Sequence, residues 1–218
     1  MKPSHGGSLQ FLTVILIAGV CFWARVAKAN LSGPSASYTG APGESTCTAC
    51  HVQTTRTGFV SLTGAPTTYS PGATYGMTVT VNTTGVRYGF EMTAIDSAGN
   101  QAGNLQPTTV NTQNKTGVVG ANTRQYIEHT STGNSFSNWT FNWIAPSAVA
   151  GPITFYVAGL RANNDVNTTS DTTYTTNKTS AAPTPPANDA FASGQALSGN
   201  SGAISNHRAQ QGNQSVAK

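Results

Sequence analysis

The sequence predicts an all-β protein, an antiparallel β-sandwich of short strands. Three observations carry this. Only 8% of the 218 residues are charged, and Thr, Asn, Ser and Gly take their place. β-branched Thr suits strands, while Asn and Gly suit turns. Several segments alternate apolar and polar residues with period two, the pattern of a half-buried strand. No segment holds a helical period for more than two turns.

The strands follow in order from Thr57. "TGFVSL" is the first. "PGATYGMTVTVNTTG" sets Tyr75, Met77, Val79 and Val81 on one face and Thr78 and Thr80 on the other. "RYGFEMTAID" sets Phe90, Met92 and Ala94 against Glu91 and Thr93, and "TRQYIEHT" separates Tyr126 and Glu128 from Ile127 and His129. In "SNWTFNWIAP" Trp139, Phe141 and Trp143 alternate with Thr140 and Asn142, which marks both tryptophans as core. "GPITFYVAGL" closes the series. Six to eight such strands joined by Gly, Pro and Asn turns argue a sandwich. Residues 97–123 and 161–180 hold few apolar residues and read as two long loops, which in a compact domain are functional or disordered.

The ends have a different character. Lys2, the apolar run "FLTVILIAGVCFW" and the small-residue pattern "AKA" read as a signal peptide over residues 1–29. The run is too short for a comfortable membrane span. Cys21 lies within it and is expected to leave with it. Loss of Lys2, Arg25 and Lys28 lowers Lys plus Arg from 11 to 8 against 7 acids, so net charge falls from +4 to +1. No Lys/Arg cluster remains, so nucleic acid is not an expected partner. Residues 30–56 form an irregular segment punctuated by Pro34, Gly40, Pro42 and Gly43. The sandwich domain is placed at residues 57–180. "AAPTPPAND" opens a Pro-rich linker and polar tail over 181–218, too poor in apolar residues to build a core and read as disordered. The mature chain is expected in the periplasm, at the cell surface or outside the cell, without an integral membrane span.

Two cysteines then remain, in "GAPGESTCTACHV". Cys47-Thr48-Ala49-Cys50-His51 matches the C-x-x-C-H pattern of covalent haem attachment. Two sulfurs form thioethers to the two vinyl groups of one haem c, and the adjacent His51 offers its nitrogen to iron. A Cys47–Cys50 disulfide and a zinc site are the alternatives. A redox disulfide calls for a helix start in a βαβ setting, which is not visible. Zinc of Cys/His type is held by two separated ligand pairs. For the opposite side of iron the choices are His129, His207, Met77 and Met92. Both methionines fall on apolar strand faces, where packing is the expected role. His207 sits in the tail. His129 ends its strand beside "STGNS", at a rim where a cofactor edge can dock, and the pattern alone leaves a capping role equally open.

"GAPGESTCTACH", "YSPGATYGMTVTVN", "RYGFEMTAID", "YIEHTSTG", "WTFNWIAP", "ITFYVAGLRANND" and "DTTYTTN" occur in an order that resembles the bacterial choice-of-anchor V family. That family is similar to the reelin N-terminal, or reeler, domain. The resemblance spans roughly residues 38–178. It implies an exported, surface-associated, Ig-like sandwich with a C-x-x-C-H motif in its N-terminal segment. "EHT" is similar to the family's His-Thr element, which favours His129 as the distal iron ligand. The polar C-terminus departs from the anchoring segments common in that family.

Two functions follow as expectations. One is electron transfer by a single covalent haem at the cell envelope, with Cys47 and Cys50 as attachment sites, His51 proximal and His129 distal. With both axial positions filled by His, iron passes electrons rather than activating oxygen. The partners are then a redox protein and, at the cell surface, further copies of the chain. The other is a cofactor-free surface module with a Cys47–Cys50 disulfide and the two long loops as contact surface, where Asp165 and Asp171 offer oxygens to calcium. Neither reading is catalytic. No nucleophile elbow or paired-carboxylate motif supports a hydrolase.

Overall fold

A computed structural model describes residues 30–184, and over that range the alternating segments form nine strands in two antiparallel sheets. The first sheet contains β1 (Phe59–Thr63), β2 (Thr74–Asn82), β4 (Asn104–Pro107) and β7 (Asn138–Ile144), in the order β1-β2-β7-β4. The second contains β3 (Arg87–Ile95), β5 (Thr112–Val119), β6 (Asn122–His129), β8 (Ile153–Ala162) and β9 (Thr172–Ser180), in the order β5-β6-β3-β8-β9. Two single-turn 3₁₀ helices, Cys47–Ala49 and Gly133–Ser135, complete the regular structure. The leader expected over residues 1–29, with Cys21, and the tail from residue 185 on, with His207, lie outside the described residues. No helix among the described residues is long and apolar enough to cross a membrane.

Period-two faces meet between the sheets as the sequence implies. Met77, Val79 and Val81 of β2 and Trp139, Phe141 and Trp143 of β7 pack against Phe90, Met92 and Ala94 of β3 and Phe155 and Val157 of β8. Phe90 stacks on Trp139 with centroids 4.6 Å apart, and Trp143 meets Phe155 edge-on at 4.8 Å. Met77 and Met92 are core residues at 1% and 0% exposure, so neither reaches the cavity described below. Tyr75 packs at the core's margin rather than inside it.

Two expectations need correction. The segments read as long loops contain β4, β5 and β9, and β8 runs on to Ala162. Each missed strand is an edge of its sheet. Edge strands face solvent on more sides and tolerate polar sequences such as "TQNKTGVV" and "TTYTTNKTS". The second correction concerns β3. Glu91 and Thr93 were placed on the polar face of a half-buried strand, yet both are fully buried. The irregular N-terminal segment crosses the outer face of the five-stranded sheet as a strap and covers them.

Candidate functional site

The strap is fixed by polar contacts at both ends. At its start, Tyr38 N donates to Glu91 Oε2 at 2.6 Å, and Ser37 Oγ lies 3.1 Å from the Tyr126 hydroxyl. Arg124 Nη1 and the Tyr126 hydroxyl both donate to Glu44 Oε1, at 2.6 and 2.8 Å. Lys115 pairs with Glu128 at 2.7 Å and also bonds the Pro34 carbonyl. Gly33 passes so close to Glu128 that a Cβ there would stand 2.5 Å from Oε1, and its φ of +95° is itself unfavourable for other residues. At the strap's far end Val52 N donates to Thr168 O and Thr54 N to Asp171 O. Gln53 bridges Asp171 in parallel, and Gln53 Nε2 donates to Thr173 O.

Between these anchors lies the C-x-x-C-H motif. Thr46 caps a 3₁₀ turn, its Oγ1 accepting from Thr48 N, and the amides of Cys50 and His51 both bond back to Cys47 O. The turn brings Cys47, Cys50 and His51 to the wall of one cavity of about 320 Å³. That volume lies at the lower end of the range for cofactor and small-molecule sites, about 300–1,000 Å³. Leu31, Pro34, Tyr88, Phe90, Leu160 and Ala162 give the wall its apolar character, and Tyr38 and Arg87 also line it. His129 lines the same cavity. The four residues singled out from the sequence, 47, 50, 51 and 129, are therefore brought together.

The two histidines are held differently. His51 Nδ1 lies 2.5 Å from Asp171 Oδ2, and Asp171 is fully buried, with its other oxygen accepting from Asn163 N at 3.0 Å. A carboxylate accepts, so Nδ1 carries a proton, which leaves Nε2 as the ring's ligand position. This is the arrangement by which metal-bound histidines are oriented. His129 sits where β6 leaves β3. The two strands pair from Glu91↔Glu128 to Thr93↔Tyr126, and beyond Glu128 the imidazole takes over. Phe90 N–H donates to Nδ1 at 3.2 Å in the tautomer with the proton on Nε2, and in the other tautomer Nδ1 donates to Phe90 O at 3.3 Å. Donation to the carbonyl is the tautomer that frees Nε2 as a ligand. Burial lowers the His129 pKa to about 4, so the ring is neutral near pH 7. Gly89 makes room for it, since a Cβ there would stand 2.7 Å from His129 Cε1.

Cys47 and Cys50 are free thiols, so the structure does not form the disulfide of the second reading. Cys47 as a residue is only partly buried, but its thiol is pushed up to about 12, chiefly by loss of water and then by the charge of Glu91. Burial thus disfavours the thiolate, the nucleophile of exchange chemistry, at Cys47. The Tyr38 hydroxyl is raised first by the neighbouring Cys50 sulfur and then by burial. Among the described residues no group of three or more His, Cys, Asp and Glu is clustered to hold a bare metal ion, which also leaves the zinc alternative without a ligand set. Asp165 and Asp171 do not offer calcium a free pair. Asp165 accepts from Asn167 N and Asn163 Nδ2, and Asp171 is engaged as described.

The sequence reading missed Asp171, Glu91 and Arg87. Asp171 was read as a loop acid with an oxygen for calcium, not as the partner of His51. Its partner lies 120 residues away, beyond any local pattern. Arg87 looked like an ordinary strand-opening residue.

Fold and site together define a class, an antiparallel β-sandwich that carries a C-x-x-C-H strap on its five-stranded sheet. No protein-family model matches the chain, and no curated protein matches it. Solved structures that resemble it include the Reelin-N domain of F-spondin, at 18% identity and a TM-score of 0.43, covering 62% of this chain and 90% of that one. The human F-spondin reeler domain is 16% identical with a TM-score of 0.37, covering 60% and 91%. A cohesin module from a Clostridium perfringens family 33 glycoside hydrolase is 10% identical with a TM-score of 0.42, covering 59% and 98%.

Proposed function

We propose that the chain is an exported, mono-haem c-type cytochrome-like protein that carries electrons at the cell envelope or surface. The observation that carries this reading is the convergence of Cys47, Cys50, His51 and His129 on one largely apolar cavity. The donor set fits the group: two thiols three residues apart, one histidine oriented by a buried carboxylate, and a second histidine kept neutral by burial. The motif order that resembles the choice-of-anchor V family supports the same reading.

With haem bound, Cys47 and Cys50 would hold it through thioethers to its two vinyl groups. His51 Nε2 would be offered to the iron, with Asp171 holding the ring's tautomer. His129 Nε2 would be a second donor to the iron when Nδ1–H donates to Phe90 O. When bound, haem supplies a one-electron iron couple. The apolar wall excludes water, and low polarity around such a centre raises its reduction potential by disfavouring the more charged oxidised form. The electron's acceptor or donor is a redox protein, or another copy of this chain.

The test is a denaturing gel with haem staining, an intact mass and a visible spectrum, on chain exported from a host that matures c-type cytochromes. The expected result is covalent haem with sharp reduced-state bands, abolished by Cys47→Ser with Cys50→Ser. His129→Ala is expected to keep the haem attached and to change its axial ligation spectrum. A colourless mature chain sinks the electron-transfer reading and leaves the cofactor-free surface module.

A further inference from the structure

Arg87 opens β3 at the cavity wall and is the one lysine or arginine among the described residues that line it. Its guanidinium is clamped rather than loose. Nε donates to Asn164 Oδ1 and Nη1 to Asn134 Oδ1, both at 3.1 Å. Asn134 is itself 6% exposed and tied to the strap through its Nδ2 and Leu31 O. Both clamps are neutral amides. Among the described residues the three ion pairs are His51–Asp171, Lys115–Glu128 and Arg124–Glu44, and none involves Arg87. Asp165 lines the same cavity and keeps its charge, but its carboxylate accepts from Asn163 and Asn167 and forms no ion pair with Arg87. A guanidinium has five N–H donors, so three on Arg87 remain uncommitted.

A positioned guanidinium that forms no ion pair, at the edge of a mostly apolar cavity, is chemically suited to a carboxylate. Resting on the haem reading above, we propose that Arg87, clamped by Asn134 and Asn164, binds the propionate carboxylates of the tetrapyrrole and so fixes its orientation. The chemistry is two-ended. Haem carries its vinyl groups on one half of the ring and its propionates on the other. With Cys47 and Cys50 taking the vinyl half, the carboxylates need a separate polar anchor in a wall that is otherwise mostly apolar. Lysine is not equivalent here, because it lacks the fork that both amides and a carboxylate engage together.

The test separates this inference from the attachment chemistry. Full-length chain carrying Cys47→Ser and Cys50→Ser is titrated with ferric protoporphyrin IX and, separately, with its dimethyl ester, which lacks the charges. A hydrogen-bonded charge pair of about 1.5–3 kcal/mol corresponds to about 10–100-fold in affinity. The dicarboxylate is expected to bind that much tighter than the ester. Adding Arg87→Gln is expected to bring the ratio to about one by weakening the dicarboxylate alone, and Arg87→Lys to give an intermediate ratio. If Arg87→Gln weakens both compounds equally, or leaves the ratio unchanged, Arg87 is a structural residue and the proposal is wrong. If neither compound binds the chain that keeps Arg87, the cavity has no carboxylate anchor for a tetrapyrrole and this inference is wrong, whereas the haem reading itself stands or falls on the haem stain of the exported chain with both cysteines.

Discussion

Gly89→Ala tests whether His129 is held as tightly as the cavity geometry requires. A Cβ at this position would stand 2.7 Å from His129 Cε1, 3.1 Å from Nδ1 and 3.2 Å from Nε2. Carbon atoms prefer about 3.5–4.0 Å, so the ring must move. It cannot do so freely, because Nδ1 is tied to the Phe90 peptide and the ring lies 6.3 Å from the Trp139 ring. Overpacking of this kind costs about 1–3 kcal/mol. The backbone at Gly89 is not left-handed, so without the clash Ala is tolerated and stabilises by about 0.4–1 kcal/mol through the unfolded chain. In a His129→Ala background the methyl meets no ring and that small gain remains. The cycle Gly89→Ala, His129→Ala and the double variant is therefore expected to show a coupling of about 2 kcal/mol. Urea unfolding measures it, with the slope unchanged between variants. Equal costs for Gly89→Ala in both backgrounds would refute the packing argument and remove Gly89 from the description of the site.

Glu91→Gln tests the buried acid beneath the strap. Burial raises Glu91 to about 8, against the pull of the Tyr38 N–H. The folded chain keeps the proton that the unfolded chain loses above about 4.5. Stability is thus fully present below that pH and falls as pH rises through 8, by a few kcal/mol at 1.36 per pKa unit. The glutamine variant is expected to match the parent at pH 4.5 and to exceed it at pH 8.5 in urea midpoint, and a pH-independent difference would show that Glu91 does not titrate in this window. Asp171→Asn removes the charged acceptor for His51. It is expected to cost about 1.5–3 kcal/mol and to speed hydrogen exchange at the Val52 and Thr54 amides, whose acceptors are Thr168 and Asp171 carbonyls. Unchanged exchange there would show that the pair does not anchor the strap.

Central strands were legible in the sequence, and of the edge strands only β1 was, because its Val60 and Leu62 reach the core. β2, β3, β7 and β8 bury one face against the opposite sheet, which demands apolar residues at every second position. β5 and β9 meet the core through few residues, so "TQNKTGVV" and "TTYTTNKTS" record only Thr enrichment. The site divides in the same way. Cys47, Cys50 and His51 form a contiguous motif, and His129 was visible as a strand-end residue. Asp171 and Arg87 depend on contacts with sequence separations of 120 and 77 residues. The polar face of β3 misled for a related reason. Alternation shows that two faces differ, but it does not say whether the polar one meets water or a polar strap.

The low charge of this chain takes on a different meaning once the strap is in place. Of seven Asp and Glu residues in the sequence, Glu44, Glu91, Glu128 and Asp171 all have buried side chains on or beneath the strap. The scarce acids are concentrated where the irregular segment meets the sheet, while Thr and Asn serve the solvent. An apolar contact would hold the strap in many registers, because hydrophobic burial is non-directional. Arg124–Glu44, Tyr38–Glu91 and His51–Asp171 each require one partner at one distance, so together they select one register. That register sets where Cys47, Cys50 and His51 lie on the cavity wall across from a residue fixed by the sheet itself. The buried acids thus act chiefly on the alignment of the two halves of the site, and the raised Glu91 shows that this alignment is maintained against the desolvation of at least one of them.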